Sequence, residues 1–247
     1  MKNSEKWTHS KFVYIGGKLR ASRNPIEVST GSRLMVDIIA KLYDKYIPIY
    51  AKGKLIDLGC GNVPLYATYK KYVKENICVD WTNSVHGINY LDCECDLNKN
   101  SPFNDNEFDT VILSDVLEHI AEPEKLVLEI SRIMKKGGKL LLNVPFYYPL
   151  HETPYDYYRY TEFALNRFIA LANMRMVLLI PIGGAPEILT DILAKHIKSV
   201  PLIGKPIAIL IQTITFFFIS TSLGEKISAM TSKNFPFGYF LVAEKSE

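Results

Sequence analysis

One histidine, His151, sits among two acids, one arginine and six tyrosines in the stretch PFYYPLHETPYDYYRYT, residues 145–161. Imidazole titrates near neutral pH, so His151 can take a proton from a hydroxyl, the task of a general base. Glu152 or Asp156 can hold its ring in one tautomer. Tyrosine has a flat apolar face and a polar tip, which suits a sugar ring or another acceptor of mixed polarity, and Tyr155 and Tyr158 are the candidates. Arg159 can grip a carboxylate or phosphate. A plainer role fits the same residues. Thr153-Pro154 has the form of a helix cap and first position, with Asp156 near the helix N-terminus, and the rings would then pack that helix.

A second set of residues points to nucleoside binding. KLIDLGCGNVPLY, residues 54–66, is a short apolar run ending in glycines. That pattern predicts a buried strand, a tight turn and a helix start. Glycines without Cβ atoms let a ligand lie against the backbone, and a helix N-terminus offers unpaired N–H groups. Asp80 ends the next apolar run, NICVDW, where a carboxylate can take two hydrogen bonds from a ribose diol.

These groups need a frame. Leu34, Ile38, Ile39, Leu42 and Tyr46 have helical spacing after Ser29 and Thr30, two candidate caps. Residues 64–74 read as a helix with Pro64 at its first position. FDTVILS (108–114) and KLLLNV (139–144) read as strands. Residues 122–136 read as a helix ended by Gly137-Gly138. Short apolar strands alternating with helices imply a parallel sheet covered on both faces.

IDLGCG, Asp80, CDL (95–97), PFNDNEFD (102–109), LSDVLEHI (113–120) and KKGGKLLLNVP (135–145) together resemble class I S-adenosylmethionine-dependent methyltransferases, over about residues 50–170. A dinucleotide-binding sheet would more often show G-x-G-x-x-G, whereas Val63-Pro64 follow here. The commonest methyltransferase pattern has glycine at the position of Val63. The resemblance implies an α/β fold: a doubly wound, mostly parallel, seven-stranded Rossmann-like sheet with an antiparallel last strand and a helical C-terminal insertion. It implies S-adenosylmethionine as cofactor. Asp57, Gly59 and Gly61 would line its methionine and ribose end, and Asp80 its ribose. Trp81 would sit beside the adenine, with Asp96 and the Leu97 amide at the adenine edge. Ser114 and Asp115 would stand where the sulfonium end meets the acceptor, with Asp115 taking part in catalysis. Asp96 also fits a turn cap. Glu118-His119 recurs in the resembled family as a loop-orienting pair, and His119 is either an acceptor contact or a structural histidine.

Topology puts residues 145–161 just after a strand, at the carboxyl end of the sheet where ligands sit, so His151 would face the methyl donor. Much of this stretch also resembles methyltransferases found with polysaccharide biosynthesis enzymes, which favours O-methylation of a sugar or glycan precursor. Another small-molecule or lipid-linked acceptor is an alternative. A nicotinamide-dependent oxidoreductase and a non-catalytic methyltransferase-like binding subunit are rivals.

The chain has 247 residues, with 48% hydrophobic, 22% charged and a net charge of +3, enough for one full core. It has no dense Lys/Arg stripe, so no nucleic-acid partner is expected. Its four cysteines (Cys60, Cys78, Cys93 and Cys95) read as reduced thiols, and no metal centre is expected. The start, MKNSEKWTHSK, has no apolar run, so a cytoplasmic protein is expected. The expected parts are a lid and helix at 1–50, a cofactor-binding core at 51–180, an apolar helical insertion at 181–234, and a final strand at 235–247 that returns to the core, all in one domain. The basic group Lys18, Arg20 and Arg23 is read as a solvated loop or as a lid over an anionic group. Residues 201–223 are unusually apolar and read as one helix over about 206–223. They can cover the acceptor site or the core, form a homodimer interface, or touch a membrane surface peripherally.

Overall fold

The computed structural model describes residues 1–82 and 87–246. Glu247, which ends the stretch expected for the final strand, lies outside the described residues. The chain divides into two compact units: residues 1–8, 46–180 and 239–247 form one, and residues 9–45 and 181–238 the other.

The first unit is built on the sheet. Its strands are β3 (Lys54–Leu58), β4 (Glu75–Asp80), β5 (Cys93–Glu94), β6 (Phe108–Ser114), β7 (Met134–Pro145), β8 (Met174–Ile182) and β9 (Gly238–Lys245). Their order is β5-β4-β3-β6-β7-β9-β8. β4 and β6 flank β3 in parallel, and β5 and β7 extend the parallel set. The sheet is mostly parallel, and the antiparallel last strand, β9, lies between β7 and β8, the expected seven-stranded methyltransferase-type architecture. The chain winds outward from β3 to β4 and β5, then crosses to β6 on the other side. The reversal lies between β3 and β6, the crevice where open α/β sheets bind ligands.

Burial follows from that arrangement. Ile56, Leu58, Val111, Leu113, Leu140 and Leu142 are all buried in one core cluster with helix α3 (Pro123–Ile133). α3 supplies Leu126, Val127, Ile130 and Ile133, a stripe at helical spacing. α4 (Glu162–Leu171) adds Leu165, Phe168 and Ile169.

Several expected boundaries move. After Pro64 the helix α2 covers only Tyr66–Tyr69, because β4 begins at Glu75 and leaves room for little more than one turn. α3 stops at Ile133, and Met134–Lys136 already belong to β7. Gly137 and Gly138 therefore sit inside the strand instead of ending a helix. They absorb a register shift, since Phe108 pairs with Met134 but Thr110 pairs with Lys139. Thr153-Pro154 starts no helix. Its neighbours are irregular, and the next helix, α4, is capped by Thr161, whose hydroxyl accepts from the Ala164 amide at 3.3 Å.

The second unit holds the hairpin β1 (Phe12–Ile15) and β2 (Lys18–Ala21), most of α1 (Arg33–Tyr50), and the helices α5 (Ala185–Ile197), α6 (Gly204–Ile219) and α7 (Ser222–Thr231). The expected single apolar helix is thus two, bent by 97° at a short break. Gln212 of α6 ties that helix to the start of α1: its amide nitrogen donates to Thr30 O at 2.8 Å and its oxygen accepts from Leu34 N at 2.9 Å. The basic group Lys18–Arg23 is mostly strand β2, and Arg23 pairs with Asp37 at 2.8 Å. Among the described residues no single helix is long and apolar enough to cross a membrane.

Candidate cofactor and active site

The loop after β3 is bent over the end of β4. The amides of Gly59 and Cys60 both donate to Val79 O, at 2.8 and 3.1 Å. Gly59 has φ +68, and a Cβ there would lie 2.4 Å from Val116 Cγ2, so both the backbone and its neighbour demand glycine. The Asp80 carboxylate faces this loop. Its Oδ2 accepts from the Gly61 amide at 2.9 Å and its Oδ1 from the Trp81 amide at 2.8 Å.

Val63 has φ +51, in the left-handed region, and is fully buried. This explains why glycine is the commoner residue at its position in the resembled pattern. The N-terminal segment also reaches this loop. The Trp7 indole N–H donates to the carbonyls of Asn62 and Val63 at 3.3 and 3.2 Å, and its ring packs on Tyr66 at 5.2 Å. Nothing in the local sequence around Trp7 signals this contact, which spans more than fifty residues.

Asp57 lies one residue before the end of β3, in the interior. Burial pushes its carboxyl up to about 7; the Tyr69 hydroxyl opposes this and the charge of Asp80 adds to it. Its Oδ2 is buried without a hydrogen-bond partner among the described residues. A buried acceptor beside a glycine turn fits the ammonium group of an amino-acid-bearing cofactor. Asp96 lies in a turn of its own making: its Oδ1 accepts from the amide and side chain of Asn98 at 3.0 and 3.2 Å, and its Oδ2 pairs with Lys99 at 3.2 Å. Leu97 packs on the sheet core. Ser114 pairs in register with Asn143 of β7, and Asp115, at φ +55, accepts from the Asn143 side-chain amide.

The aromatic segment is sewn onto the short turn Leu117–His119. The amides of Tyr157 and Tyr158 donate to Glu118 O, the Tyr160 hydroxyl to Leu117 O at 2.8 Å, and the Tyr158 hydroxyl to Ala121 O at 2.9 Å. Tyr155 meets Trp81 edge-on, with ring centroids 5.1 Å apart. The segment therefore reaches the end of β4 as well as the end of β7. Arg159 donates to Tyr148 O, Pro149 O, Tyr158 O and both oxygens of Asp156. Those five bonds equal its five N–H donors. The expected grip on an anionic acceptor gives way here to a clamp that holds the segment together, and the Arg159 bonds hold the Asp156 carboxyl well below its usual range.

His151 lies inside this clamp. Its Nδ1 is 3.3 Å from Pro149 O and 3.3 Å from Asp156 Oδ2, and its own amide donates to Asp156 at 2.9 Å. A carbonyl only accepts, so Nδ1 carries the proton and Nε2 is the basic atom. Asp156, one of the two acids expected to orient the ring, is the one in contact with Nδ1. Glu152 instead lies 4.0 Å from His119 Nε2. Burial, helped by His119 and Arg159 and opposed by Asp156 and Glu152, lowers the His151 pKa below its ordinary value. His119 donates from Nδ1 to Tyr155 O at 3.1 Å, and its ring is 4.7 Å from that of His151. Both Nε2 atoms are 3.8 Å from Oε1 of Glu118, which is fully buried. Glu118 is the group that sequence reasoning undervalued: a carboxylate shared by two imidazoles. One ligand atom each from Glu118, His119 and His151 lies within 4.8 Å of the others, so the trio can also take a divalent cation.

Residues 56–142 match a family described as the methyltransferase domain. The matched stretch holds the glycine loop, Asp80, Asp96 and the Glu118–His119 turn, and ends before the aromatic segment. Demethylmenaquinone methyltransferase of Renibacterium salmoninarum is 36% identical over 75 residues, which is 29% of this chain and 29% of the relative. The chain thus aligns with less than a third of that relative's length. Among solved structures, a chain in the complex of the Haloferax volcanii Trm112 methyltransferase activator with a methyltransferase aligns over 85% of this chain and 90% of its own, at TM-score 0.56 and 18% identity. Geranyl diphosphate methyltransferase in complex with SAM aligns over 90% and 93%, at TM-score 0.55 and 12% identity. These structural alignments show a shared fold.

Proposed function

We propose that the chain is an S-adenosylmethionine-dependent O-methyltransferase acting on a hydroxyl of a sugar or glycan precursor. The observation that carries the cofactor part is the pair of carboxylates around the glycine turn: Asp80 on the Gly61 amide, and Asp57 with a buried oxygen lacking a partner among the described residues. Asp80 would hold the ribose diol and Asp57 the ammonium. Gly59 and Gly61 would let the backbone approach, Trp81 would lie by the adenine, and Asp96 and the Leu97 amide would mark its edge. Ser114 and Asp115 would stand at the reacting end. When bound, S-adenosylmethionine supplies a methyl group on a sulfonium, and its transfer leaves a neutral thioether.

The chain's own residues handle the proton. His151 Nε2 takes it from the acceptor hydroxyl, Asp156 keeps the Nδ1 proton in place, and Glu118 stabilises the imidazolium that forms. The lowered His151 pKa keeps the ring neutral, and so competent as a base, at neutral pH. His119, Tyr155 and Tyr158 would form the acceptor wall, with Asp156 and Arg159 behind them as its support. The sugar assignment rests on the tyrosine faces and on the resemblance to enzymes found with polysaccharide biosynthesis. A lipid-linked acceptor is the second reading. Two of the comparison proteins are named for demethylmenaquinone and geranyl diphosphate, compounds that carry apolar chains.

Incubation with S-adenosylmethionine and a panel of sugars, nucleotide sugars and lipid-linked glycans tests this. A product one methylene heavier, formed about 100-fold more slowly or worse by His151→Gln, is the expected result. No methylated product from any class would remove the enzymatic reading.

A further inference from the structure

Helix α6 is built inside out. Its buried positions are Gly204, Ala208 and Gln212, a stripe of small and polar residues four apart. Leu210, Ile214 and Phe217 face outward, and Phe217 is 66% exposed. A helix facing water does the reverse, turning its aliphatic stripe in and its polar one out. The loop that precedes it carries Leu202, which is 97% exposed and held at φ +65. A leucine in the left-handed region costs about 1–2 kcal/mol, and here no burial within the chain offsets it. Ile203 beside it is exposed as well.

The exposed charge along the Leu202 loop and α6 is basic. From residue 192 to residue 224 there is no Asp or Glu. Lys195 is turned inward onto Asp191 at 2.6 Å, whereas Lys205 at the start of α6 is exposed and Lys198 is half-buried. A second copy of this face would bring no opposite charge to Lys205. A bilayer with anionic headgroups would instead take the apolar side chains into its interface and the lysines at its phosphates. The 97° bend between α6 and α7, and the absence of any single spanning helix among the described residues, suit a surface contact better than a crossing.

We infer that the Leu202 loop and the outer face of α6 form a peripheral docking surface for anionic membranes. The inference does not depend on the methyl-transfer reading, because its readout needs no cofactor or acceptor.

Sedimentation of the full chain with vesicles tests it, using phosphatidylcholine alone and phosphatidylcholine with about one third phosphatidylglycerol. Binding to the anionic vesicles is expected to be at least about tenfold tighter than to neutral ones and to weaken with salt. The variant Leu202→Ser/Leu210→Ser/Phe217→Ser should lose at least about tenfold in vesicle affinity, and Lys205→Glu should lose affinity for anionic vesicles only. Thermal unfolding would establish that the variants are folded, since all four side chains are exposed. Failure of the parent chain to bind either vesicle would overturn the inference, and so would equal binding by the triple variant. Light scattering that shows a dimer abolished by the triple variant would overturn it too, by assigning the face to a second copy.

Discussion

Replacing Asp57 by Asn should flatten the dependence of stability on pH around neutrality. Asp57 is 3% exposed, and burial lifts its carboxyl from 3.8 to about 7. Between those values the folded chain holds one more proton than the unfolded chain, so stability falls as pH rises. The stability carried by the protonated carboxyl is complete below about pH 4 and gone above about pH 7. Each pH unit inside the window is worth about 1.4 kcal/mol. From about pH 5 to about pH 7 the parent chain should therefore lose about 3 kcal/mol that Asp57→Asn keeps. Urea unfolding of both proteins at both pH values measures it, and the other titrating groups cancel in the difference. A cofactor ammonium held at Asp57 would restore the carboxylate. Affinity of the parent chain for S-adenosylhomocysteine should then rise by up to about tenfold per pH unit across the same window, and that of the variant should not. Parallel stability curves for the two proteins would refute the burial argument. A flat affinity profile alongside converging stability curves would refute only the ammonium assignment.

Two further outcomes follow from the geometry. Val63→Gly should be more stable than Val63→Ala by about 1 kcal/mol in urea unfolding, because both remove the buried side chain but only glycine tolerates φ +51. With His151 as base, kcat/KM should fall as pH drops through an apparent pKa below 6.5, and treatment with EDTA should leave the rate unchanged. Loss of activity on chelation, restored by a divalent cation, would reassign Glu118, His119 and His151 as metal ligands.

The strands around the site were legible because parallel strands buried on both faces are nearly continuous apolar runs, and their ends are marked by residues unlike their interiors: Gly59 just after β3, Asp80 at the end of β4 and Ser114 at the end of β6. The turn at Thr153-Pro154 was not legible. Its local pattern is that of a helix start, but the Tyr157 and Tyr158 amides are taken by Glu118 O, about forty residues away in sequence. That tertiary bond decides against the helix, and no local rule contains it. Arg159 looked like an anion grip because its partners within the segment appear only once the chain folds back on itself. Glu118 was visible as a neighbour of His119, yet its contact with His151 depends on where two loops meet. In α6 the run of aliphatic and aromatic residues hid the orientation, since nearly every face reads as apolar. Gln212 was the one polar mark of the buried stripe.

Isothermal titration of S-adenosylhomocysteine into the parent chain and into Asp80→Asn tests the central claim most directly. Two hydrogen bonds from a diol to a charged acceptor are worth about 3 kcal/mol together, so micromolar binding by the parent should weaken about 100-fold in the variant. Equal affinities, or no heat with the parent chain, would contradict the placement of a nucleoside against the glycine turn.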